Sequence, residues 1–117
     1  MAKLNKVQII GRVGQDPEMK FSPDGKAITT FSVAVSDKRG EKETTEWFNV
    51  VTWNKLAEIC NEYVFRGQSV YVEGRLHTNK WQTPEGEKRQ RVEIIAHSME
   101  FLEWKKVDEY TAEDIPL

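Results

Sequence analysis

The stretch TEWFNVVTW, Thr45 to Trp53, runs directly into NKLAEICNEYV, Asn54 to Val64, and the change of period between them decides the fold. In the first half Trp47, Asn49, Val51 and Trp53 alternate with Phe48, Val50 and Thr52, the two-residue period of a strand with apolar groups on both sides. In the second half Leu56, Ile59, Cys60, Tyr63 and Val64 stand at i, i+3, i+4, i+7 and i+8, the stripe of an amphipathic helix. Asn54 is placed to cap that helix, and Glu58, Asn61 and Glu62 face water. Gly67 follows the last turn, where a left-handed residue is often required.

Working outward, four more segments alternate like strands. Upstream, Lys6 to Val13 ends at Gly14-Gln15-Asp16-Pro17, which forces a turn. After Pro23-Asp24-Gly25, a second strand runs from Ala27 to Ser36, and Asp37 to Thr44 reads as a charged loop. Downstream, Ser69 to Gln82 buries Val70, Val72 and Leu76, while Tyr71, Arg75, His77, Asn79 and Trp81 share the opposite face. A tip at Thr83-Pro84-Glu85-Gly86 returns the chain into Lys88 to Phe101. Three strands, one helix and two strands make an all-β chain. They match the element order of the five-stranded Greek-key OB-fold barrel, with one α-helix between strands 3 and 4. Phe31, Phe48 and Phe101 are expected in the core or at a subunit interface.

A chain of 117 residues fits one domain, assigned here to residues 1–103, followed by a short acidic C-terminal tail, 104–117. With 31% charged residues and a mean hydropathy of -0.64, no apolar run approaches the roughly 18 residues of a membrane span. Met1 to Lys6 carries no secretory signal, so the expected compartment is the cytoplasm. The single cysteine, Cys60, forms no internal disulfide and reads as a small core residue. The formal charge of -2 is unevenly spread: residues 103–117 carry -3, which leaves residues 1–102 at +1. A near-neutral body binds a polyanion only if its cations gather on one face.

Catalysis finds little material. His77 and His97 are the two histidines, and no HExxH, GxSxG, CxxC or phosphate-loop pattern occurs. The expectation is no enzyme, no catalytic residue, no metal and no cofactor. Four tryptophans in so short a chain exceed what a core needs. Trp47 and Trp53 share a strand face, and Trp81 lies opposite Val70, Val72 and Leu76. Exposed rings near Lys55, Arg75 and Lys80 suit a single-stranded nucleic acid, whose bases stack while cations follow the phosphates. Packing at one end of the barrel would account for Trp47 and Trp53 equally well, and parity alone leaves both readings open. Lys38-Arg39 and Lys42, interleaved with Glu41 and Glu43, read either as a solvated loop or as a DNA contact.

These residues resemble the bacterial single-stranded DNA-binding protein (SSB) family over nearly the whole chain. The resemblance is carried by Asn5-Lys6-Val7, Gly11 and Gly14-Gln15-Asp16-Pro17-Glu18, then by Thr45-Glu46-Trp47 and Lys55-Leu56-Ala57-Glu58. It continues through Gly67, Val70-Tyr71-Val72-Glu73-Gly74 and Lys80-Trp81. It implies that Trp47, Trp53 and Trp81 stack bases, and that Lys55, Arg66 and Lys80 contact the DNA backbone, to which the reading of the residues adds Arg75. It implies a homo-oligomer, a tetramer, wrapped by single-stranded DNA during DNA replication, recombination and repair. Ser36-Asp37-Lys38-Arg39 lacks the further stacking tryptophan of some relatives. The end Glu113-Asp114-Ile115-Pro116-Leu117 resembles the acidic tip with which the family docks replication, recombination and repair enzymes, though Leu117 replaces the usual terminal Phe. The rival expectation is an OB-fold adaptor that binds protein or RNA and holds DNA weakly.

Overall fold

The computed structural model of the chain describes residues 2–103. Its elements follow in the order β1 (Val7–Val13), β2 (Glu18–Phe21), β3 (Ala27–Arg39), β4 (Lys42–Trp53), α1 (Asn54–Tyr63), β5 (Ser69–Gln82) and β6 (Lys88–Phe101). Around the barrel, hydrogen bonds join β1 to β5, β5 to β6, β6 to β4 and β4 to β3. The barrel closes where Arg12 and Val13 of β1 meet Ala34 and Val33 of β3. Neighbours are antiparallel except β4 and β6, which run parallel through Asn49–Glu93, Val50–Ile94 and Val51–Ile95. This is the expected five-stranded OB-fold barrel, with its helix between the third and fourth barrel strands.

β2 is an addition that the sequence did not announce. Gly14 and Pro17 interrupt β1, after which Glu18–Phe21 pairs with Ala27–Thr30 of β3. Four largely exposed residues show no burial alternation, so nothing in their pattern marked them as a strand. The charged loop expected at Asp37 to Thr44 is instead a continuation of the β3–β4 ladder, with Asp37 opposite Thr44, Lys38 opposite Glu43 and Arg39 opposite Lys42. Beyond Val35 both faces of this hairpin meet solvent, so backbone pairing and a left-handed Gly40 (φ 64°) shape it without an apolar side.

Inside, Phe31, Val33, Val50, Val70, Val72 and Ile94 form the core, with Phe48 and Phe101 packed at its margin. Ala57, Cys60 and Val64 of the helical segment are buried against it. Two buried threonines, opposite one another in the β3–β4 ladder, satisfy the polar groups beneath α1. Thr52 donates to the Thr29 carbonyl at 2.8 Å, and Thr29 donates to the Ala57 carbonyl at 2.7 Å. Cys60 is a core residue as expected, and burial pushes its thiol up to about 11. The helix ends differ from expectation. Trp53 occupies the cap position without a side-chain hydrogen bond, and Asn54 lies just inside the helix at φ 57°, a conformation asparagine tolerates. Gly67 is left-handed at φ 90°, but it shapes the turn after an extended Val64 and donates its N–H to the Val13 carbonyl.

One irregularity sets the outer surface. Glu73 lies opposite Ser98 and Gly74 opposite Ala96, which leaves His97 as an extra residue on β6. The outward set of β6 therefore switches from Ser98 and Glu100 to Ile95, Glu93, Arg91 and Arg89, while β5 keeps its alternation. Gly74 is required there, because a Cβ would stand 2.1 Å from the Ile95 carbonyl oxygen. Leu76, expected in the core, is 44% exposed. The ladder with β1 ends at Gly74, and the backbone of Leu76 is capped instead by the Asn5 side chain, so Leu76 lies at the open end of the barrel.

Candidate nucleic-acid interface

Residues directly opposite one another in a ladder share a face. The pairs Ile28–Trp53, Thr30–Val51, Ser32–Asn49 and Ala34–Trp47 tie β3 to β4. Asn49–Glu93 and Val51–Ile95 carry the same face to β6, and Arg75–Ile95, His77–Glu93, Asn79–Arg91 and Trp81–Arg89 carry it to β5. One outer face thus collects Trp47 and Trp53 from β4 and Arg75 and Trp81 from β5, with β6 between them. Trp47, Trp53 and Trp81 are 61%, 38% and 43% exposed respectively, so none is a buried core residue.

Each ring is positioned differently. Trp47 lies over the end of β1, where a Cβ added to Gly14 would come within 2.3 Å of its Cζ3. Trp53 borders a cleft of about 260 Å³ with His77 and Asn79. An adjoining cleft of about 290 Å³ contains Gln15, Lys20 and Asn49, and the two share Ile28, Thr30, Val51, Arg91 and Glu93. Trp81 stands on the β5–β6 ribbon beyond the last pairing of β6 with β4.

The expected cations surround this face without all lying on it. Arg75 is on it. Lys55 follows Trp53 at the start of α1, in a hollow of about 300 Å³ beside Phe21 and Asn54. Arg66 sits beside the β1–β2 connection, its backbone N–H donating to Asp16 at 3.0 Å. Lys80, opposite Gln90, belongs to the other side of the ribbon from Trp81. Among the described residues none of these four cations forms an ion pair, whereas Lys6, Arg12, Lys26, Arg39, Arg89 and Arg91 all do. The tail residues Glu113, Asp114, Ile115, Pro116 and Leu117 lie outside the described residues.

Two residues that sequence reasoning did not single out occupy the middle of the face. The Arg91 guanidinium lies 5.7 Å from the Trp81 ring centroid, and its Nη2 is 3.1 Å from Glu93 Oε2. The Arg89, Arg91, Glu93 alternation was visible, but its face was not assignable without the bulge at His97.

The neighbouring outer face, built from β1 and the lower halves of β5 and β6, is different. Tyr71 donates to Glu73 at 2.7 Å, Gln8 donates to both, His97 Nε2 lies 3.2 Å away and Lys6 3.8 Å away. The Tyr71 hydrogen bond, then that of His97, hold the Glu73 carboxyl below its usual range, and the Glu73 acceptor raises the Tyr71 hydroxyl. Among the described residues no cluster of three or more His, Cys, Asp or Glu is placed to hold a metal, and no helix is long and apolar enough to cross a membrane.

An OB-fold barrel carrying three exposed tryptophans on one sheet face, with cations around it that form no ion pair among the described residues, defines a class of small barrel whose candidate site is a surface rather than a pocket. The family description "Single-strand binding protein family" matches residues 4–102, and the chain belongs to that family. Two curated relatives, from serogroup A and serogroup B strains of Neisseria meningitidis, are each named "Single-stranded DNA-binding protein". Each is 44% identical over 104 residues, covering 85% of this chain and 60% of the relative. The chain thus spans 60% of the length of those relatives. A solved structure, Plasmodium falciparum SSB in complex with ssDNA, superimposes with a TM-score of 0.77 at 34% identity, covering 88% of this chain and 98% of the other.

Proposed function

We propose that this chain binds single-stranded DNA with little regard for base sequence and protects and organises the strand during DNA replication, recombination and repair. The observation that carries the reading is the single face presenting Trp47 and Trp53 of β4 and Trp81 of β5, all exposed and linked in register through β6. Every base has a π-face, so stacking on indoles holds a strand without reading it. Lys55, Arg66, Arg75 and Lys80, unpaired among the described residues, neutralise phosphates along the path. The names of the Neisseria relatives and the ssDNA held by the Plasmodium protein support the same reading.

The activity is binding rather than catalysis and needs no cofactor. Residues 1–103 act as the DNA-binding domain, and the acidic end, Glu113 to Leu117, serves to dock replication, recombination and repair enzymes. The chain assembles as a homo-oligomer, a tetramer by analogy with its family, which multiplies weak contacts on a near-neutral body. Its site of action is the cytoplasm, on nucleoid DNA. Intrinsic tryptophan fluorescence titrated with long poly-dT at two salt concentrations, beside a native mass measurement, tests the reading. Deep quenching that saturates at a fixed number of nucleotides per subunit, and weakens with salt, is expected. A shallow response without saturation would favour a protein-binding adaptor, and preference for matched RNA would favour an RNA-binding one.

A further inference from the structure

Trp81 stands where the barrel gives it least support. The ladder between β4 and β6 spans Asn49–Val51 against Glu93–Ile95, and β1 leaves β5 at Gly74, so from Asn79 and Arg91 outward β5 and β6 pair with one another alone. A two-stranded ribbon is marginal by itself and twists freely. A stacking platform on it would spend binding energy on becoming ordered.

Arg91 ties the platform to the barrel. Its guanidinium lies over the Trp81 ring at 5.7 Å while Nη2 bonds to Glu93 Oε2 at 3.1 Å. Glu93 stands where β6 still pairs with Asn49 of β4, and its side chain is 8% exposed. If Arg91 swung away to meet a phosphate, a nearly buried carboxylate would lose its counter-charge, which is costly. Arg91 therefore stays in place when a strand binds. It stands over the indole, and Trp81 is still 43% exposed, which leaves surface for a base to meet. We infer that Glu93 is a positioning residue for nucleobase stacking: it anchors Arg91, and Arg91 holds Trp81 in the orientation that receives a base.

This inference rests on the single-stranded DNA reading above, and it makes a prediction of unusual sign. Glu93 is an anion on a face that meets a polyanion, so electrostatics alone would have Glu93→Gln bind DNA more tightly. Positioning requires the reverse. In short oligo-dT titrations Glu93→Gln should bind roughly two- to fivefold more weakly than wild type. The loss should vanish in a Trp81→Ala background, because no platform is left to hold. Arg91→Lys, which keeps the charge but not the planar fork, should lose as much as Glu93→Gln and leave the salt dependence unchanged. In the free protein both variants should change the emission of Trp81, read as the difference from the same variant carrying Trp81→Ala. Tighter binding by Glu93→Gln, an equal loss with and without Trp81, or a flatter salt dependence in Arg91→Lys would each overturn the inference while leaving the DNA reading intact. Absence of oligo-dT binding by the wild type would overturn both.

Discussion

Along β5 the outward side chains run Tyr71, Glu73, Arg75, His77, Asn79, Trp81, and their surroundings change between Glu73 and Arg75. Below that point Glu73 is shared by Tyr71, Gln8, His97 and Lys6, and its charge is consumed within the protein. Above it Arg75 has no ion-pair partner among the described residues, and the next rings outward are exposed. The divide falls at the extra residue on β6, His97, which turns Arg89, Arg91 and Glu93 toward the tryptophans. What distinguishes the two faces is therefore how far their charges are already committed to each other, which a net charge of -2 does not reveal.

The divide is broken most directly at Gly74, where any Cβ meets the Ile95 carbonyl. Gly74→Val should cost about 3 kcal/mol of unfolding stability, the upper end of typical overpacking, and disturb the ladder that separates the faces. Urea unfolding with an unchanged midpoint would show that the bulge does not set the divide. Next come the rings: Trp53→Ala and Trp81→Ala should each weaken oligo-dT binding by about 1–3 kcal/mol with unfolding midpoints close to wild type. Unchanged titrations in both would remove stacking from that face.

Smaller effects sharpen the contrast. Lys55→Gln and Arg75→Gln should each reduce the slope of log affinity against log salt by about 0.7, the increment for one phosphate contact on a single strand. Lys6→Gln, whose charge is engaged by Glu73, should leave the slope as it was, and equal slopes for all three would dissolve the comparison. The smallest effect concerns Glu73. Its carboxyl is lowered on folding, so its contribution to stability is fully present above the ordinary carboxylate range and is lost as pH falls through the lowered value. Tyr71→Phe removes the main cause of that lowering. It should begin acid unfolding at slightly higher pH while leaving DNA affinity at neutral pH unaltered. An unmoved acid limb would mean that the Glu73 network contributes nothing to stability.

The placement of the three tryptophans was partly legible. Parity put Trp47 and Trp53 on one face of a strand and Trp81 opposite Val70 and Val72, and all three are exposed. Parity did not say whether that face lay inside or outside the barrel, since Val51 shares it and is buried. Lys80 shows the limit in another way: adjacent to Trp81 in sequence, it belongs to the other side of the ribbon. Arg91 and Glu93 escaped notice because the bulge reverses the phase of β6, and β2 escaped because an exposed four-residue strand has no burial period.

From the sequence alone came the number of barrel strands, the helix after the third, the glycine turns and the aromatic excess. All are local consequences of a two-residue strand period, a 3.6-residue helix period and the few residues that tolerate left-handed backbone. Tertiary structure decided the parallel pairing of β4 with β6, the phase change at His97, the exposure of Leu76 and the Trp81–Arg91–Glu93 contact. These depend on hydrogen bonds between residues far apart in the chain, such as Asn49 and Glu93, whose register no local pattern records.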